Sequence, residues 1–342
     1  MKIKNLNKST YRIICTYGDK AIIDEDSKQT PCLIRTKKKD IVTNDFVKIE
    51  KKQNTVLITE IKNRKNIFYR QNNHKKKIIV ANIDHIFIVI SPVPLFSSET
   101  LICMLASAQK EKIPTSIIIN KTDLKNETQK LKEILTLITP FNLENEKKDS
   151  EKLNQYEFNS DLKTRILSCN TKTNNGMDEF RKFISKVKNN QIETNLALVG
   201  QSGTGKSSIV NSLIPDANSR VSAISKSLNT GRHTTTTSKS YEIEGLKNKK
   251  TWMIDTPGIE KFGISHLDMN DLKEVFTDWK LINEKYGDCK YANCFHGSEP
   301  NCQIKKLLSM LSNDPNSKLR FLNLRTRIKI WFNLSKMVRS KH

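Results

Sequence analysis

The chain has 342 residues, enough for two or three domains that each bury a core of their own. Its 59 Lys and Arg against 36 Asp and Glu leave a formal charge of +23; coding bias toward Lys, Asn and Ile does not readily give such an imbalance, which points to a polyanionic partner, usually nucleic acid. Seven Cys, an odd number, and no leader-like apolar run near the amino end argue against a disulfide framework, and no apolar stretch is long enough to span a bilayer, so a cytoplasmic protein, most simply a monomer, is expected.

The first sixty or so residues read as five short strands: Tyr11–Thr16, Lys20–Asp24, Pro31–Arg35, Asp45–Glu50 and Thr55–Ile61, separated by turns such as Gly18-Asp19. Five such strands fit a small closed barrel. An OB-fold that binds oligonucleotides is one, and an SH3-like barrel gives the same strand pattern. Residues 62–77 read as a basic linker holding Arg64, Lys65, Arg70 and the run from His74 to Lys77. Arg64, Lys65 and Arg70 are expected to contact RNA.

Beyond the linker, strand and helix patterns alternate. Ile78–Val80, Ile86–Ser91, an amphipathic helix near Glu99–Glu111 and the apolar Thr115–Asn120 predict βαβ units around a parallel sheet. The last strand ends in Asn120-Lys121-Thr122-Asp123. A carboxylate such as Asp123 accepts from both N1–H and N2–H₂ of guanine, a bidentate pair that adenine cannot complete. Asn120 is expected to secure the loop and the purine edge, and Lys121 to lie over the base. The charged stretch Asn142–Asn159 reads as an exposed insertion. The strand Thr164–Leu167 then leads into Ser168-Cys169-Asn170, where backbone N–H groups would meet guanine O6; Asn170 stands where such loops usually carry Lys.

A second α/β portion opens with the strand Asn195–Val199 and the loop Gly200-Gln201-Ser202-Gly203-Thr204-Gly205-Lys206-Ser207-Ser208, running into a helix over Lys206–Leu213. This is the phosphate-binding loop in its required strand–loop–helix setting: glycines let backbone N–H groups turn inward, Lys206 reaches the β- and γ-phosphates, and Ser207 ligates Mg²⁺. Gly231-Arg232-His233-Thr234-Thr235-Thr236-Thr237 is expected to be the switch loop, with Thr235 the candidate to complete Mg²⁺ coordination. The strand Thr251–Ile254 ends in Asp255-Thr256-Pro257-Gly258, where Asp255 would hold Mg²⁺ and the Gly258 N–H would reach the γ-phosphate. Many GTPases place a water-orienting Gln just after this box; here the residue is Ile259. The catalytic candidates are therefore Lys206, Thr235 and His233, with His233 supplying the missing polar group.

The order of these motifs is inverted, because the guanine-specifying Asn120–Asp123 precedes the phosphate loop. All such loops sit at the carboxyl ends of one parallel sheet, so joining the old termini and reopening the chain elsewhere preserves the site. Farther on, Cys289-x₄-Cys294-x-His296-x₅-Cys302 gathers four zinc-type ligands in polar sequence, a closed structural site. From Leu307 onward the chain reads as helical and basic, with Arg325 and Arg327 as further candidate RNA contacts.

Taken together, the small barrel, the permuted motifs with GRHTTT, and the C-x₄-C-x-H-x₅-C knuckle resemble the ribosome small-subunit-dependent GTPase A family over essentially the whole chain. The resemblance implies a multidomain α/β protein: an OB-fold barrel over residues 1–65, a circularly permuted P-loop GTPase over 66–275, and a zinc-binding helical module over 276–342. It further implies GTP hydrolysis stimulated by the small ribosomal subunit, binding to its 16S rRNA, and a late role in subunit maturation. Two readings compete: a permuted GTPase serving the large subunit, and an RNA-binding module with negligible turnover.

Overall fold

The computed structural model describes residues 10–34, 40–53, 55–140, 164–187, 193–214, 217, 237–245, 250–292 and 294–339; the insertion at 142–159 and residues 231–236, which include His233 and Thr235, lie outside them. The amino-terminal strands are β1 (Tyr11–Tyr17), β2 (Lys20–Glu25), β3 (Lys28–Ile34), β4 (Phe46–Lys52) and β5 (Thr55–Ile61). β1 pairs antiparallel with both β2 and β4, and β3 runs parallel to β5, so the circuit β1-β2-β3-β5-β4 closes on itself. The result is an OB-like barrel filled by Ile13, Ala21, Ile23, Cys32, Val47 and Ile58.

The expected linker is in fact structured. It forms the antiparallel hairpin β6 (Ile67–Asn72) and β7 (Lys75–Ala81), turned at Asn73 with φ of 49°. Phe68, Ile79 and Val80 are buried, and the Phe68 ring lies 5.5 Å from that of Phe262. The dense charge hid this alternation. Arg64 and Lys65 are also committed: Arg64 forms a two-pronged pair with Asp45 at 2.7 Å, and Lys65 meets buried Asp84 at 2.6 Å. Arg70 donates to the Lys261 carbonyl. The three linker residues among the expected RNA contacts thus hold the chain to itself.

The central sheet contains β8 (His85–Ile90), β9 (Thr115–Ile119), β10 (Arg165–Ser168), β11 (Glu193–Gly200), β12 (Lys239–Ile243) and β13 (Lys250–Asp255), with α1 (Ser98–Lys110), α2 (Lys125–Ile138), α3 (Met177–Lys186) and α4 (Lys206–Leu213) between them. The spatial order is β10-β9-β8-β11-β13-β12, and only β12 runs antiparallel to its neighbour. Within this central sheet, β8, β9 and β10, which precede β11 in sequence, flank it on one side, and β13 and β12, which follow it, flank it on the other. The permuted connection therefore leaves the carboxyl ends of β9, β10, β11 and β13 along one edge. The barrel joins this sheet where β1 meets β12 at Cys15 and Lys239. Buried Arg12 strengthens the seam, donating to Asn44, to Glu193 and, at 2.9 Å, to Asn195.

After β13 the chain forms α5 (Met269–Lys273), α6 (Thr277–Tyr286), α7 (Gln303–Ser312) and α8 (Lys318–Arg339). The tail is not one helix: Asp314 and Pro315 interrupt it, with the Asp314 carboxylate accepting from the Asn316 N–H at 3.0 Å. Arg325 is exposed as expected, but Arg327 is 0% exposed and is no RNA contact. Its guanidinium forms a two-pronged pair with buried Asp278 and donates to the Ile138 carbonyl at 2.6 Å. Beside it, Asn323 donates to the carbonyls of Thr136 and Thr139 at 2.9 and 3.1 Å, closing the end of α2. Among the described residues no helix is long and apolar enough to cross a membrane.

Candidate functional site

The buried run Leu196–Val199 drives β11 through the sheet centre and delivers the chain into Gly200–Gly205 at its carboxyl end. Gly205 caps α4 with φ of +92°, and a Cβ there would fall 2.2 Å from the Asn120 side-chain nitrogen. Only glycine permits that approach. α4 receives no side-chain cap at this end, so its first N–H groups remain available to an anion. Lys206 is 6% exposed, and its ammonium donates to the carbonyls of Gly200 and Gln201 at 2.9 and 2.8 Å. Among the described residues it has no carboxylate in ion-pair range. Burial pushes its pKa down, against the pull of the Asp255 charge.

Asp255 ends β13 and is buried. One carboxylate oxygen accepts from the Ser207 hydroxyl at 2.6 Å, while Oδ1 has no partner among the described residues. Burial raises its pKa, opposed by the Ser207 hydrogen bond and by Lys206 and Lys239. A paired hydroxyl and carboxylate with one orphaned buried oxygen form the hard, oxygen-rich donor set that Mg²⁺ takes. The following turn is pinned to the phosphate loop: Thr256 donates to the Leu198 carbonyl at 2.7 Å, and the Ile259 N–H to the Gly200 carbonyl at 3.0 Å. A Cβ on Gly258 would lie 2.6 Å from Ser202 Cα, so the two loops touch backbone to backbone. The Ile259 side chain is buried in the core.

On the base side, buried Asn120 bonds well beyond its own loop. Its amide donates to the Thr204 carbonyl at 3.0 Å, and its oxygen accepts from the Thr171 N–H at 3.4 Å. One side chain thereby ties the ends of β9, β10 and β11 together. Thr122 donates to the Cys169 carbonyl at 3.2 Å, and Lys121 donates to the Val93 carbonyl at 2.7 Å. Cys169 is buried, and its N–H bonds to the Ile119 carbonyl. Asn170, the departure from Lys, accepts from the N–H groups of Lys172 and Thr173 at 2.9 and 3.2 Å and so shapes its own turn. Asp123 stands exposed beside these groups.

A second cluster lies in the carboxyl-terminal part, where the ligand atoms of Cys289, Cys294, His296 and Cys302 all lie within 4.8 Å of one another. Cys289 Sγ is 3.8 Å from Cys302 Sγ, and His296 Nδ1 is 3.4 Å from Cys302 Sγ and 3.8 Å from Cys289 Sγ. Tetrahedral zinc, with its usual bond lengths, sets ligand separations of roughly 3.5–3.8 Å. The loop is shaped for this purpose by Glu299, whose carboxylate accepts from the N–H groups of Phe295 and Gly297, both at 2.8 Å. Trp279 and Trp331 pack on the His296 ring at 5.2 and 6.0 Å. The cluster can hold a metal ion, and all four positions agree with the spacing in the sequence.

The chain matches the model of the RsgA GTPase family over residues 61–265. It is 30% identical over 295 residues to the small ribosomal subunit biogenesis GTPase RsgA of Nitrosospira multiformis, covering 85% of this chain and 82% of that protein. The protein of the same name from Neisseria gonorrhoeae is 30% identical over 307 residues, covering 88% and 87%. Among solved structures, YjeQ from Thermotoga maritima superposes with a TM-score of 0.56 at 21% identity, covering 95% of this chain and 98% of that one. YloQ, a circularly permuted GTPase, gives 0.51 at 17%, covering 97% and 96%. A GTPase site assembled from permuted loops, an OB-like barrel ahead of it and a Cys₃His cluster behind it agree with these likenesses, and the chain belongs to the RsgA GTPase family.

Proposed function

We propose that the chain hydrolyses GTP in the cytoplasm during maturation of the small ribosomal subunit, binding that subunit through its 16S rRNA as a monomer. The observation that carries the reading is the convergence of four loops on one edge of the sheet, three tied by Asn120 and the fourth pinned to the end of β11 through Thr256 and Ile259. In it, Gly200–Ser208 cradle the phosphates, Lys206 neutralises the β- and γ-oxygens, and Asp123 selects guanine with Asn120–Thr122, Ser168 and Cys169 around the base. Mg²⁺, when bound, neutralises charge on the phosphates. Ser207 and Asp255 would hold it, with Thr235 from the switch loop, and the Gly258 N–H faces the γ-phosphate. Zinc in the Cys289, Cys294, His296 and Cys302 site serves structure, since all four positions belong to the protein.

Ile259 is apolar and buried, so the position after the Asp255–Gly258 box cannot orient a water molecule. His233 is our candidate for that task, ordered by the ribosomal subunit. The barrel's likeness to an OB-fold and the net charge of +23 support an RNA partner. The test is phosphate release by the full-length protein with isolated small and large subunits. Stimulation by small subunits alone supports the reading, and stimulation by large subunits or by neither sinks it. His233→Ala should bind nucleotide and subunit normally while stimulated turnover falls toward the unstimulated rate.

A further inference from the structure

The strand that leaves the switch region presents a second cation to the phosphate site. Lys239 opens β12 and is paired directly across from Asp255 on β13. Residues directly opposite in an antiparallel pair project to the same face with Cβ atoms about 4.5–5.5 Å apart. The Lys239 side chain therefore leaves the sheet on the same face as the Asp255 carboxylate; burial pushes the Lys239 pKa down, and Cys15 and Asp255 oppose the fall. Lys239 is half-buried, and its ammonium has no hydrogen-bond or ion-pair partner among the described residues. A cation held in that state costs desolvation energy that no anion among the described residues repays by contact.

Its backbone is fixed from three sides. Lys239 pairs with Cys15 of the barrel as well as with Asp255. Next to it, the Ser238 carbonyl accepts from the Thr43 hydroxyl at 2.8 Å, and the Ser238 hydroxyl donates to the Ile79 carbonyl at 3.1 Å. The charge is thus held in place by the barrel, the hairpin and the sheet together. Lys206, by contrast, spends two of its three donors on the Gly200 and Gln201 carbonyls.

We propose that Lys239 is a built-in counter-charge of the nucleotide site, standing in part for the divalent cation, so that it holds GDP or GTP when Mg²⁺ is absent and competes electrostatically with Mg²⁺ when it is present. The proposal rests on the reading of Asp255 as the Mg²⁺ carboxylate. It concerns charge at a distance, so Lys239 is a positioning residue and not a catalytic one. Removing the charge weakens nucleotide binding most when no metal is there to replace it. With Mg²⁺ bound, the loss is offset by relief of the repulsion between two cations. The ratio of affinities with and without Mg²⁺ must therefore rise.

The experiment measures affinity of the full-length protein for fluorescent GDP, in Mg²⁺ and in EDTA, for wild type, Lys239→Met, Lys239→Gln and Lys239→Arg. The expected result is a rise in the Mg²⁺/EDTA affinity ratio on the order of tenfold in both neutral variants, the scale of one unit charge within about 10 Å at an effective dielectric near 20. Lys239→Arg keeps the wild-type ratio. A merely structural lysine would lower both affinities by one factor, so an unchanged or smaller ratio in Met and Gln overturns the proposal. Failure of the wild type to bind GDP in either buffer would overturn the site reading and this inference with it.

Discussion

Lys206 in the phosphate loop and Arg327 in the carboxyl-terminal helix are both buried cations, yet their surroundings differ in kind. Arg327 is fully compensated: a carboxylate takes two of its N–H groups and main-chain carbonyls take others. Among the described residues Lys206 meets only the neutral carbonyls of Gly200 and Gln201, and the nearby Asp255 keeps one oxygen unpaired. The first arrangement is finished and serves folding. The second is left short of negative charge, which is the state a site for phosphates must hold before its ligand arrives. Satisfaction of the buried charge, rather than burial itself, separates structure from function here.

The largest effect expected from breaking this contrast is on turnover. Lys206→Ala should lower GTP hydrolysis by roughly 10³-fold or more, because an ammonium aimed at transferring phosphate cannot be replaced by water. Its unfolding free energy should fall by less than about 1 kcal/mol, since no paired charge is orphaned. Hydrolysis and denaturant titrations on one preparation decide it; a severe stability loss would mean that Lys206 is structural as well.

Arg327→Met should do the reverse. Leaving Asp278 buried without its partner costs about 3–5 kcal/mol, while nucleotide affinity in the surviving folded fraction stays near that of wild type. The double variant Arg327→Met, Asp278→Leu should regain most of the loss, because a well-packed apolar pair replaces the ions. Urea unfolding of the single and double variants checks this. If the double variant is no better than the single one, the pair contributes more than charge compensation.

Cys294→Ala probes a third, metal-dependent kind of compensation. Wild type should carry one zinc per chain, and the variant should lose it and unfold its carboxyl-terminal part at lower temperature while still binding GTP. Metal analysis together with the melting curve provides the measurement, and metal-free wild type would refute the zinc reading. The smallest structural effect should come from Asp123→Asn, an exposed position. Stability should stay within about 0.5 kcal/mol, while preference moves from guanine toward xanthine nucleotides by orders of magnitude. Unchanged GTP affinity would show that Asp123 does not face the base.

Features whose physics is local were legible in the amino-acid sequence. Apolar runs such as Ile86–Ile90 and Leu196–Val199 become central strands wherever they sit, and β5 occupies the expected Thr55–Ile61. The four zinc-type ligands are legible because Cys289, Cys294, His296 and Cys302 stand at metal-ligand spacing within fourteen residues of polar sequence. Local spacing also carried the phosphate loop, and the inverted motif order carried the permutation. Other features depend on which distant surfaces meet, and those became visible once the chain was folded. The hairpin β6–β7 was masked by its charges, and its burial depends on Phe262, nearly two hundred residues away. Arg327 carries the same charge as Arg325 and sits in the same helix, but two residues of helical rotation turn it from solvent toward Asp278. Asn120 ties the ends of three strands, and Lys239 meets Asp255 through strand register. Neither pairing is written in spacing, because long-range register follows from how the whole hydrophobic pattern closes.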